Sequence, residues 1–141
     1  MPLLANDTDG AITRKRLETY VAAREKVTAV AVTAAPTPTA AQLLESKLFV
    51  GTPVADTTFT LPTAALVIAA LTDEAVGTSF EFHIVNLASA YQYTMTTNTG
   101  WTITGGGRMT VFDGCSATFL AVVTSTTTCQ LYRMSSGGAV A

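Results

Sequence analysis

Few side chains in this 141-residue chain are suited to chemistry, and they do not come in sets. His83 is the only histidine, in the run Ser79-Phe80-Glu81-Phe82-His83-Ile84-Val85-Asn86. Strict alternation puts it on one pleat face with Glu81 and Val85, opposite Phe80, Phe82 and Ile84. A general base needs a nucleophile or an orienting partner marked nearby, and no motif marks one. His83 therefore reads as a paired, partly buried or surface histidine. Cys115 and Cys129 do not make a disulfide framework. In a hairpin of residues 118–123 and 128–134, Cys129 faces a residue near Val122 while Cys115 lies beyond the strand's start, so both read as small buried thiols. No His, Cys or carboxylate cluster has metal-ligand spacing. No metal or cofactor and no enzymatic activity are expected.

Two other groups invite a functional reading. Gly105-Gly106-Gly107-Arg108 lacks the Lys-Ser/Thr of a phosphate-binding loop and lies between strands, so it reads as a turn or a close chain approach. Tyr91, Tyr93 and Trp101 are able to stack sugars or bases. The 58 residues from Ile84 onward hold three charges, Arg108, Asp113 and Arg133, which is no basic groove, so nucleic acid is not an expected partner. These three aromatics, with Phe80 and Phe82, are assigned to the core or a subunit interface.

The elements that must position these residues are short and β-rich. Strands are predicted at residues 27–32, 47–51, 56–61, 79–86, 90–97, 101–104, 108–112, 117–123 and 129–134. Asn98-Thr99-Gly100 is expected to join two of them as a hairpin turn, and Asp113-Gly114 forms another turn. Pro62 suits a first helical turn, so one short helix is predicted near 62–71 over the end of the β core. The two prolines of Ala34-Ala35-Pro36-Thr37-Pro38-Thr39-Ala40 make that stretch a linker. The predicted architecture is all-β: an antiparallel β-sandwich or jelly-roll-like body over 42–134, an N-terminal arm over 1–41, and a loose tail over 135–141.

Composition points to assembly. Charged residues make up 13% of the chain, about half the usual share. Thr, with 26 residues, is the main polar type and suits pleated surface. A chain that does not ionise its exposed face is expected to cover it with copies of itself. Charge is also divided unevenly. Residues 14–26 carry Arg14, Lys15, Arg16, Arg24 and Lys26 against Glu18 and Glu25, whereas Val27 onward carries three cations against six acids. The basic arm is expected to contain a helix near 13–26, with Ile12, Leu17, Tyr20, Val21 and Val27 near one stripe. A helix of that length is marginal alone and must pack on its own body, a sister subunit or a larger partner. The start of the chain has no secretory signal pattern, and the longest apolar run, residues 64–71, is too short to span a bilayer. A soluble protein made in the cytosol, with no membrane partner, is expected.

The succession Phe59-Thr60-Leu61-Pro62-Thr63-Ala64-Ala65, then Val76-Gly77-Thr78-Ser79-Phe80-Glu81-Phe82-His83-Ile84-Val85-Asn86, resembles a recurrent virion domain of tailed bacteriophages. The likeness continues through the Thr-rich stretch at 91–104 with its Gly-Trp and ends in Leu131-Tyr132-Arg133, covering about 48–134. Such domains resemble capsid decoration (cement) proteins, which sit as homotrimers on the outside of phage heads and clamp capsomers. Similar modules occur in tail fibres, where the partner is a cell-surface glycan. The resemblance implies a virion location, the major capsid protein as partner, and no catalytic residues. The arm lies outside it. Its residues Leu3, Leu4, Arg14, Arg16, Tyr20 and Arg24 are our candidates for gripping the capsid.

Overall fold

The computed structural model describes residues 27–104 and 109–137. The predicted helix near 13–26, the six candidate capsid-gripping residues and the Gly105-Gly106-Gly107-Arg108 stretch lie outside the described residues. Nine strands form two sheets among the described residues. One has six strands in the order β1 (Val30–Val32), β2 (Leu48–Gly51), β4 (Ser79–Asn86), β8 (Ser116–Val123), β9 (Cys129–Gly137) and β6 (Trp101–Ile103). The other has three, in the order β3 (Thr57–Thr60), β5 (Tyr93–Thr96) and β7 (Thr110–Val111).

The inward phase of each strand builds one core shared by both sheets. Phe80, Phe82 and Ile84 alternate along β4, and Ala117, Phe119 and Ala121 along β8, all buried. Phe82 stacks on Phe119 at 5.3 Å between ring centroids, and Phe49 of β2 meets Phe59 of the second sheet edge-on at 5.1 Å. Such aromatic contacts contribute beyond the area they bury. An α-helix, α1 (Ala64–Ala70), caps one end, with Thr63 as its N-cap accepting from the Leu66 amide. Its Ala64 and Ile68 pack with Val123 and Cys129, against which Trp101 also rests. A π-helical turn, Gln42–Ser46, buries Leu43 before β2.

Three sequence expectations are corrected. The antiparallel arrangement does not hold: β1–β2, β2–β4, β3–β5 and β6–β9 are parallel, while β4–β8, β8–β9 and β5–β7 are antiparallel. The reason is topological: the chain changes sheets at every step from β2 to β8, and β1 reaches β2 through the long 33–47 connection, so most paired strands are joined by crossovers that allow the same direction and not by tight hairpins. The Asn98-Thr99-Gly100 turn is accordingly not a hairpin. It carries the chain from β5 in one sheet to β6 in the other, pinned by Ala64 N–H to Thr99 O and Cys129 N–H to Gly100 O. Gly100 has φ +88°, and a Cβ there would lie 2.6 Å from Thr127 O.

The third correction concerns the boundaries at 41/42 and 134/135. β1 is bonded into the six-stranded sheet, and Thr60 N–H donates to Pro36 O, so residues 30–41 belong to the body. β9 extends to Gly137, pairing Ser135 with Thr118, so residues 135–137 belong to the sheet. At the β1–β2 contact, Gly51 leaves space that any side chain would fill. A Cβ there would sit 1.8 Å from Val32 O and 2.2 Å from the Tyr93 hydroxyl.

Candidate functional site

The structure separates the five aromatics named from sequence. Phe80, Phe82 and Tyr93 are core residues. The Tyr93 hydroxyl donates to Val32 O at 2.8 Å, tying the three-stranded sheet to the edge of the six-stranded one, and burial pushes its phenol pKa above 10.0. Trp101 is half-buried beside α1, its indole N–H donating to Pro62 O at 2.8 Å. Tyr91 is exposed just before β5, near the C-terminal end of β4. Tyr91 and Trp101 therefore lie at opposite ends of the body, and the three rings do not form one stacking platform.

The groups suited to chemistry are also apart. His83 Nδ1 meets Thr118 Oγ1 at 2.9 Å on the outward face of β4 and β8. Cys129 is buried, with its thiol pKa raised by burial, whereas Cys115 is half-buried, and both are free thiols. Arg133 points inward from β9 and donates to Thr110 O of β7 at 2.7 Å; burial pulls its guanidinium below the usual value, opposed by the neighbouring Cys115. Among the described residues no three His, Cys, Asp or Glu side chains are grouped to hold a metal ion. A cleft of about 180 Å³ beside β1 is lined by Val30, Val32, Pro36, Pro38, Gln42 and Phe49 among others, none of them a titratable group.

What the body does offer is two apolar surfaces. The first is the loop end, where β2 and β4 finish and β3, β5 and β8 begin. Asn86, the buried polar side chain of this core, holds the loops together. Its amide nitrogen donates to Tyr91 O at 2.7 Å and Val111 O at 3.2 Å, and its amide oxygen accepts from Ala88 N–H at 3.0 Å. Gly114 N–H to Ala88 O and Leu87 N–H to Gly51 O add further ties, and Asp56 Oδ1 accepts from Gln92 N–H. On these fixed loops four large apolar side chains face solvent: Val54 (79% exposed), Leu87 (60%), Tyr91 (42%) and Phe112 (41%). Sequence reasoning missed this cluster. The available signal was Asn86 itself, a polar residue in the inward phase of 80, 82, 84 and 86.

The second surface is the outward face of the six-stranded sheet. The registers align Ala31, Val50, Val85 and Ser116 in one row, and Leu48, His83, Thr118 and Ser135 in the next. Glu81, Leu120 and Tyr132 form a third row, and Ser79, Val122, Gln130 and Thr102 a fourth. Glu81 is the one carboxylate in these rows, and they contain no Lys or Arg. Sequence parity placed Glu81, His83 and Val85 together, but only the pairing shows that Leu48, Val50, Leu120, Val122 and Tyr132 join them.

Among the described residues no helix is long and apolar enough to cross a membrane. No family model, curated protein or solved structure matches the chain.

Proposed function

We propose that this protein is a virion structural component: a capsid decoration (cement) protein with a β-sandwich, jelly-roll-like body that assembles as a homotrimer on the outside of a tailed-phage head. The observation that carries the reading is the loop end. Four solvent-facing apolar side chains sit on loops held by Asn86 and by the Leu87–Gly51 and Gln92–Asp56 bonds, near the acids Asp56 and Asp113 in sequence. A preformed apolar patch loses little entropy on docking, so even a small footprint at about 25 cal/mol per Å² is useful. Trimerisation would join three such footprints, and avidity then multiplies contacts that are weak singly. The cationic arm, through Arg14, Arg16 and Arg24 with Leu3, Leu4 and Tyr20, would add contacts to the major capsid protein. On this reading the protein is made in the host cytoplasm and ends on the outer capsid surface.

The test is co-sedimentation with empty heads of the phage that encodes the chain. Full-length protein should pellet to saturation at a ratio matching three-fold positions, and Val54→Asp with Leu87→Asp should lower that binding at least tenfold. Full-length protein that stays in the supernatant at every ratio would refute the reading. The alternative, a tail-fibre module for a cell-surface glycan, has no observation of its own, because Tyr91, Tyr93 and Trp101 do not converge.

A further inference from the structure

We infer that the two open edges of the six-stranded sheet join copies of the chain head to tail, with β6 of one copy parallel beside β1 of the next and Ile103 seated in the cleft at β1. The inference rests on the self-association in the proposed function and adds where the copies meet.

Both edges present backbone groups that the sheet does not use. His83 N–H to Lys47 O and Leu87 N–H to Gly51 O turn the odd-numbered groups of β2 toward β4, so Val50 bonds β1 through Val30 and Val32. The N–H and C=O of Ala31 therefore point off the sheet. At the far edge, Cys129 N–H to Gly100 O and Thr104 N–H to Leu131 O turn the even-numbered groups of β6 toward β9, so those of Ile103 point off the sheet. An open edge is a template for one more strand.

The side chains at the two edges are complementary. Val30 and Val32 stand in the inward phase, and the cleft of about 180 Å³ opens beside them, walled by Phe49, Pro36 and Pro38. Ile103 is also in the inward phase, level with buried Leu131, yet it is 40% exposed because the sheet ends there. Among the described residues it is the one large apolar side chain exposed on an edge strand. Residues 27–44 and 98–104 contain no Asp, Glu, Lys, Arg or His, so the junction desolvates no ion.

Direction selects the occupant. β1, β2, β4, β9 and β6 run one way and β8 the other, so rotation about an axis along the strands brings β6 of one copy parallel to β1 of its neighbour. Ala31 N–H then donates to Trp101 O, and Ile103 N–H donates to Ala31 O. This register sets Ala31 opposite Thr102, both in the outward phase, and Ile103 beside Val32 at the cleft. A two-fold pairing of like edges would leave Ile103 or the cleft open, and an unrelated peptide would cover one edge only. A second copy covers both, and a junction of unlike surfaces repeats until the ring closes.

The experiment compares full-length variants by native mass spectrometry. Ala31→Pro removes the outward N–H, and an edge strand tolerates proline there; Ile103→Asp sets a charge against the cleft. Each variant alone should give at least tenfold less oligomer than wild type at equal concentration. Mixed, the two retain one matched junction, so a heterodimer of about 29 kDa (twice 14.7) should form and nothing larger. That heterodimer would also show that both variants fold. An oligomer that neither variant weakens, or a mixture without heterodimer, would overturn the inference and leave self-association standing; a monomeric wild type would overturn both. In a Cys115→Ser background, a short bismaleimide should link Ala31→Cys copies to Thr102→Cys copies at least tenfold more than either to itself. Equal yields would overturn the head-to-tail arrangement.

Discussion

Replacing Asn86 with Ala removes one side chain and strands three backbone groups. Tyr91 O and Val111 O lose their donor, and Ala88 N–H loses its acceptor. A buried group left without a partner costs about 1–3 kcal/mol. Tyr91 O is the most open to water, so the low end applies to it, and the sum is about 3–5 kcal/mol. Against a total stability of about 5–15 kcal/mol, that is a large fraction. With a urea m-value of about 2 kcal/mol/M, the midpoint should fall by about 1.5–2.5 M. Asn86→Asp is the sharper variant. Its carboxylate still accepts from Ala88 N–H but faces two carbonyl oxygens, so the folded protein favours the protonated acid. The introduced carboxyl then has a folded-state pKa above its unfolded value of about 3.9. Its contribution is thus most favourable below that value and declines as pH rises through the folded pKa. The decline is about 1.4 kcal/mol for every tenfold difference in acidity between the unfolded and folded states. Urea titrations at pH 3 and pH 7 measure this relative to wild type. If Asn86→Ala unfolds within about 0.3 M of wild type, the loop end is not held by this residue.

Further outcomes follow from other contacts. Gly51→Ala places a Cβ on Val32 O and the Tyr93 hydroxyl, so it should destabilise by about 2–4 kcal/mol and cost more than Tyr93→Phe in the same denaturation assay. Because burial raises the Tyr93 pKa, its contribution is complete below pH 10 and is lost as pH rises through the folded value. Absorbance titration should show one tyrosine ionising only as the protein unfolds, and Tyr93→Phe should abolish that step. Thiol labelling of the native protein should modify Cys115 well before Cys129, which is buried with a raised pKa; equal rates would contradict its placement.

The sequence disclosed what is local. The alternation at 79–86 marks β4 at its observed ends, and the 117–123 and 129–134 runs pair as β8 and β9. Thr63 and the apolar run after Pro62 mark α1, although the helix starts at Ala64 and not at the proline. Pairing between distant strands was not legible, since a parallel ladder such as Leu48 with His83 leaves no periodic trace. Tyr91 and Tyr93 share a phase in sequence, yet the strand begins only at Tyr93, so one is exposed and the other is core. The loop end was hidden for the same reason: Val54, Leu87 and Phe112 lie in three separate turns, tied by the bonds of Asn86 together with Leu87 N–H to Gly51 O and Gln92 N–H to Asp56 Oδ1.

Native mass spectrometry of the full chain tests self-association, on which the proposed function depends. With one chain at 14.7 kDa, a homotrimer gives about 44 kDa (three times 14.7), holding from high to low micromolar concentration. A single species at 14.7 kDa over that range would contradict the account.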